Sequence, residues 1–190
     1  MAIVLASQSP RRQELLARIG VEDFKTLSLD IDESYPEGLS PEDTVRYIAK
    51  KKCDAAAALC APDDLIITAD TMVFLGNDRL GKPRDEDDAF RMLRELAGHG
   101  HTVCTGVSVR RGETSELFAV STRVFFRPMT DDEIRAYIKT GEPMDKAGAY
   151  GVQSRGALFV ERIDGDFFNV MGLPVEQLGL VLARFGIKLL

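Results

Sequence analysis

The segment SQSPRR at positions 7–12 puts two hydroxyls and two guanidinium groups at one predicted helix start. Ser9 has the character of a helix cap and Pro10 suits the first helical position. Arg11 and Arg12 then fall in the first turn, facing the positive end of the helix dipole. That placement costs about 0.3–1 kcal/mol per exposed charge, so helix stability alone would favour acidic residues. A bound anion reverses the sign. Free backbone N–H groups, the hydroxyls of Ser7 and Ser9 and the forks of Arg11 and Arg12 would then converge on a phosphate chain. Taken alone, the motif equally fits arginines that splay into solvent or pair with acidic neighbours.

Asp70 and Thr71 interrupt the apolar run LIITADTMVFL. A carboxylate inside such a strand is costly unless it meets a cation or hydrogen-bond donors. Asp70 could hold a hard divalent metal, act as general base toward a water, or do both. An aspartate closing a turn at a strand end is the plainer reading, but the strand pattern continues beyond it. Glu33 stands in the acidic stretch DIDESYPEG and gains interest only if folding brings it beside Asp70, where the pair would complete a metal site. Lys52 ends a run of three lysines that one helix cannot point the same way. Lys82 sits in the constrained turn Gly81-Lys82-Pro83. In DKAGAYGVQ, residues 145–153, the glycines permit close backbone approach. Lys146 there adds a cation, and Gln153 adds an amide able to complement a uracil or thymine edge. His99 and His101 have no third histidine or nearby cysteine to complete a zinc site, and read as structural or exposed.

The elements that must position these groups follow the hydrophobic pattern. Strands are predicted at the N-terminus, at about 24–29, over LIITADTMVFL, at about 101–111 and 115–127 as a hairpin, and over LFVERI. Helices are predicted after Ser9, Ser40, Asp85 and Thr130, with a last one over PVEQLGLVLARFG. Thr130 with Glu133 matches a capping box. Strands alternate with helices and one hairpin interrupts them, which predicts an α/β fold with a mixed sheet.

The chain has 190 residues, 45% of them hydrophobic, and a formal charge of −6. This argues against general attraction to nucleic acid polymers or anionic membranes. Three cysteines cannot form a complete set of intramolecular disulfides, no CxxC pair is present, and no apolar run is long enough to span a bilayer. The expectation is an intracellular, cytoplasmic protein without a signal peptide. Neither a Walker motif, a GxGxxG fingerprint nor a GxSxG elbow occurs.

Taken together, LASQSPRRQELL, ITADTMV, GKPRD, HTVCTGV and GEPMDKAGAYGVQSRGALFVERIDGDFFNVMGLPV resemble the Maf family of nucleoside triphosphate pyrophosphatases, in family order over nearly the whole chain. The resemblance implies a single domain over residues 1–190, an elongated mixed sheet flanked by helices, and two closely packed lobes around a deep nucleotide-binding cleft. It implies hydrolysis of a nucleoside triphosphate to monophosphate and pyrophosphate. Asp70 would be the proton acceptor, and Arg11, Thr71 and Gln153 would select the base, in the pattern of the branch acting on dTTP and UTP. Ser7, Ser9, Arg12, Lys52, Lys82 and Lys146 would bind phosphate. Magnesium or manganese would be held by Asp70 and Glu33, and the resemblance suggests a homodimer. One departure is Ser154-Arg155, where family members often have Gly after the glutamine; Arg155 could alter the pocket rim and its tolerance for CTP. The rival expectations are a nucleotide-binding regulator of septum formation that needs no turnover, and a 7-methyl-GTP pyrophosphatase.

Overall fold

Branched apolar residues build the centre of the sheet, and the positions of glycine, proline and capping residues divide the rest into helices. The computed structural model describes residues 1–190. Its strands are β1 (Ile3–Leu5), β2 (Phe24–Thr26), β3 (Leu65–Leu75), β4 (Asp78–Leu80), β5 (Gly100–Arg111), β6 (Thr114–Phe126) and β7 (Val160–Asp164). The helices are α1 (Pro10–Arg18), α2 (Pro41–Ala57), α3 (Glu86–Leu96), α4 (Asp131–Ile138), α5 (Phe167–Met171) and α6 (Val175–Arg184). The strand order is β2-β1-β3-β5-β6-β7, with β4 folded back on the end of β3. β1 pairs in parallel with β2 and β3, whereas β3–β4 and β6–β7 are antiparallel. The sheet is therefore mixed, as expected. No helix is long and apolar enough to cross a membrane.

The chain forms two compact units. The first comprises Met1–Asp70, Thr105–Val120 and Gly172–Leu190, and the second Thr71–Cys104 and Ser121–Met171. In the first unit, α2 starts at Ser40, whose hydroxyl accepts from the Asp43 amide at 3.1 Å. It buries Val45, Ile48, Ala49, Cys53 and Ala56. Thr68 on β3 donates to the Ala49 carbonyl at 2.7 Å, a buried bond that locks helix to strand. Gly106 on β5 lets that helix approach closely, because a Cβ there would lie 2.3 Å from the Val45 carbonyl oxygen. Cys53 and Cys60 both touch the cluster of Ala6, Ala56 and Ile66. Cys60, however, lies beyond the end of α2, since the helix stops at Ala57.

In the second unit, Asp85 caps α3, and Thr130 with Glu133 forms the predicted capping box of α4. Between α4 and β7 the glycine-rich stretch winds into three short 3-10 turns, Glu142–Asp145, Ala147–Ala149 and Arg155–Phe159. The last of these takes the start of the predicted strand LFVERI, so β7 begins only at Val160. The predicted strand at 24–29 is shorter, ending at Thr26, while β4 and α5 were not anticipated. Both of these are very short elements flanked by turn residues, which carry almost no periodicity.

His101 lies in this unit's core, with its Nε2 2.8 Å from the Tyr150 hydroxyl and its ring edge-on to Phe126. Burial pushes its imidazole down to about pH 4, so it is neutral at pH 7. An unfolded histidine titrates near 6.5. The unfolded chain thus takes up this proton first as pH falls, and stability contributed by neutral His101 is present above about 6.5 and lost down to about 4. That loss is on the order of 3 kcal/mol. Denaturant midpoints measured from pH 7 to 4 should fall less steeply for His101→Gln than for the wild type. Parallel curves would remove His101 as the cause.

Candidate active site

The first unit gathers seven of the predicted residues: Ser7, Ser9, Arg11, Arg12, Glu33, Lys52 and Asp70. β1 delivers the chain to α1, and the Ser7 amide still bonds the Leu5 carbonyl at 2.9 Å. Ser9 occupies the cap position of α1, yet its side chain makes no capping bond. Its amide instead donates to the Ser7 hydroxyl at 3.2 Å. The first turn holds no acidic residue, as the sequence reading required for an anion-receiving end.

Arg12 turns toward the sheet. Its Nε donates to the Gly172 carbonyl at 2.8 Å, and its Nη1 to the Ala69 carbonyl at 2.9 Å and to the Ser7 hydroxyl at 3.4 Å. The guanidinium thus clamps the residue directly before Asp70. Burial lowers the Arg12 pKa, the charge of Asp70 opposes that shift, Arg11 adds to it, and Glu33 opposes it. The four charges therefore form one electrostatic cluster. Sequence reasoning missed the two carbonyl acceptors, because a carbonyl has no side-chain signature.

Each lysine of the run at 50–52 points differently. Lys50 pairs with Asp54 at 2.5 Å and Lys51 with Asp32 at 3.2 Å. Lys52 reaches inward, with its Nζ 2.7 Å from Asp70 Oδ1 and 2.9 Å from Glu33 Oε1. Its ammonium therefore bridges the two carboxylates that the sequence paired as metal ligands. Asp70 is only 7% exposed, and its second oxygen, Oδ2, is buried without a hydrogen-bond partner. An unsatisfied buried carboxylate oxygen is expensive, and a native fold rarely keeps one without a use. Replacing Lys52 with Met should lower stability by about 2 kcal/mol, less than the roughly 3–5 kcal/mol for breaking a fully buried pair. The reduction follows because Glu33 is exposed and Arg12 stays close to Asp70. Urea unfolding at pH 7 reads this directly, and an unchanged midpoint would contradict it.

A hard divalent cation fits this donor set. Asp70 Oδ2 is unpartnered and Glu33 is 57% exposed, so both offer carboxylate oxygen. No cluster of three or more His, Cys, Asp or Glu side chains forms a closed cage. The remaining ligands would come from water and phosphate, the usual pattern for magnesium.

Thr71, Lys82, Lys146 and Gln153 belong to the second unit. Thr71 is half-buried and follows Asp70 along β3. Lys82 is exposed in a turn whose Gly81 carbonyl accepts from the Gly148 amide at 3.1 Å. Arg84 holds the same turn, donating through its amide to Asp88 at 3.1 Å. The Lys146 ammonium is engaged locally, by the Glu142 carbonyl at 2.7 Å and Asp145 at 2.6 Å. Gln153 is exposed. Gly148 and Ala149 are both left-handed, at φ 68° and 61°, which is strained for alanine. A Cβ on Gly148 would lie 2.9 Å from the Val73 side chain, so the glycine is needed for this close approach.

Fold and site together define an α/β protein in which an arginine-bearing helix start is tied to a buried strand carboxylate. The same fold occurs in the Ham1 protein of Staphylococcus aureus, which matches with a TM-score of 0.57 at 13% identity, covering 97% of this chain and all of that one. The chain belongs to the Maf-like protein family, whose profile matches residues 2–185. Among its relatives is the dTTP/UTP pyrophosphatase of Bacillus velezensis, 46% identical over 98% of this chain and 97% of that protein. The dTTP/UTP pyrophosphatase of Bacteroides fragilis is 47% identical over 93% and 92%.

Proposed function

We propose that this protein hydrolyses dTTP and UTP between the α- and β-phosphates, releasing the nucleoside monophosphate and pyrophosphate. The observation that carries the reading is Asp70 Oδ2, a buried carboxylate oxygen without a partner beside an arginine-bearing helix start. The names of the full-length relatives support the reaction and its substrates. In this reading Asp70 takes a proton from a water that attacks the α-phosphorus, and the bond to the β,γ-pyrophosphate breaks. Lys52 orients Asp70 through Oδ1 and leaves Oδ2 for that water. Arg12 fixes the strand beneath Asp70, while Ser7, Ser9 and the α1 amides receive phosphate oxygens. Lys82 and Lys146 add positive charge. Magnesium or manganese, held by Asp70 and Glu33, would neutralise phosphate charge.

Gln153, with Arg11 and Thr71, reads the pyrimidine. Gln153→Ala should narrow the preference for UTP over GTP by about 1–3 kcal/mol, the size of one lost buried polar contact. An unchanged ranking would take Gln153 out of base selection.

The deciding experiment incubates the protein with dTTP, UTP, CTP, GTP and 7-methyl-GTP plus magnesium or manganese, and separates the products. Monophosphate and pyrophosphate from dTTP and UTP are expected. Diphosphate and orthophosphate would overturn the cleavage position, and preference for 7-methyl-GTP would overturn the substrate. Nucleotide binding without turnover would favour a regulator.

A further inference from the structure

The segment carrying Gln153 is held by a polar lock within the second unit. Glu142 Oε1 accepts from the Tyr137 hydroxyl at 2.7 Å, the Ser154 hydroxyl at 2.6 Å and the Gly156 amide at 3.3 Å. The Tyr137 hydroxyl in turn accepts from the Gly151 amide at 3.1 Å. Gly151 and Gly156 bracket Gln153, so both ends of its loop end on the same two side chains. Packing closes the remaining space. A Cβ on Gly156 would lie 2.6 Å from the Gly151 carbonyl and 2.9 Å from the Tyr137 hydroxyl. A Cβ on Gly151 would lie 2.8 Å from the Lys146 stem.

We infer that Glu142 is a positioning residue that sets base selectivity by fixing the 151–156 loop, with Tyr137 and Ser154 as its partners. The inference rests on Gln153 as base reader, argued above. Burial raises the Glu142 carboxyl, but donors from Ser154, Tyr137 and the Gly156 and Arg155 amides outweigh it and hold it below the usual range. The group is thus a carboxylate at neutral pH, an acceptor only, as these donors require. A neutral amide offers the same outline with a weaker acceptor, and alanine offers none. Selectivity should therefore grade from wild type through Glu142→Gln to Glu142→Ala.

The test compares kcat and KM for UTP and GTP in Glu142→Ala, Glu142→Gln, Ser154→Ala, Gln153→Ala and the Glu142→Ala/Gln153→Ala double variant, together with hydrogen exchange of the Gly151 and Gly156 amides. In Glu142→Ala we expect about a tenfold narrowing of the UTP-to-GTP ratio of kcat/KM, the size of one lost hydrogen bond. It should appear in KM for UTP, with kcat little changed, and both amides should exchange faster. Glu142→Gln should restore part of the ratio, and the double variant should match Gln153→Ala alone. If Gln153→Ala narrows the ratio and Glu142→Ala does not, the lock is overturned while the base-reading role stands. If Gln153→Ala leaves the ratio unchanged, the base-reading role fails, and this inference with it. Should Glu142→Ala not fold, Glu142→Gln and Ser154→Ala carry the same comparison, and wild-type ratios and exchange rates in both would refute the lock.

Discussion

Asp70→Asn should retain the fold and lose about a thousandfold in turnover, the scale on which a positioned general base contributes. The retained fold follows from the contacts. An amide oxygen still accepts from Lys52 Nζ, now 2.7 Å from Oδ1, and Lys52 keeps Glu33 at 2.9 Å. What changes is the other atom. Oδ2 becomes an NH2 group, a buried donor that cannot take a proton from water. If Asp70 acts only in the transition state, kcat and kcat/KM should fall together, with nucleotide affinity preserved. Equilibrium binding of a non-hydrolysable UTP analogue separates this from damage to phosphate binding. Turnover within tenfold of wild type would remove Asp70 as the base. A loss confined to KM would recast it as a binding group.

The largest effect on stability should come from a single methyl group at Gly106. An alanine Cβ would stand 2.3 Å from the Val45 carbonyl oxygen and 2.7 Å from the Arg46 amide nitrogen. Both are backbone atoms of α2, so no side chain can rotate away. The helix must move off β5, although Thr68 ties it to β3 and its inner face is fully buried. Overpacking of this kind costs about 3 kcal/mol or more, which lowers Tm by roughly 6–12 °C in a chain of this size. Gly179 provides the opposite case. It lies within α6, and a Cβ there meets only the Leu189 side chain at 4.0 Å. Gly179→Ala should therefore stabilise by about 0.5–1 kcal/mol through helix propensity and lost unfolded-state freedom. Melting both variants beside wild type tests the pair. A Gly106→Ala protein that melts with wild type would mean that α2 and β5 are not packed this closely.

Much of this scaffold could be read from side chains whose chemistry is local. Ser40, Asp85 and Thr130 cap helices where their spacing predicted. The run from Leu65 to Leu75 is one strand straight through Asp70, so the carboxylate does not close a turn. The pairing of Glu33 with Asp70 depended on a long-range juxtaposition, and the sequence could only pose it as a condition. The structure meets it through Lys52, which touches both. The seat of Arg12 could not be read at all, since Ala69 and Gly172 contribute only carbonyls. In the glycine-rich stretch the sequence indicated close approach, which Gly148 against Val73 realises. Its helical turns were invisible because each is a single turn closed by local backbone bonds, such as Lys146 amide to Pro143 carbonyl and Ala149 amide to Lys146 carbonyl, too short to carry periodicity.

The clamp made by Arg12 has a consequence for biosynthesis. It joins residue 12 to a carbonyl at 69 and another at 172, and the unit holding Asp70 also needs Thr105–Val120 and Gly172–Leu190. All seven candidate residues of that unit precede residue 71, yet the Gly172 carbonyl that seats Arg12 is made much later in synthesis. A growing chain therefore carries every one of these seven groups before it holds the carbonyl on which the Arg12 Nε is seated.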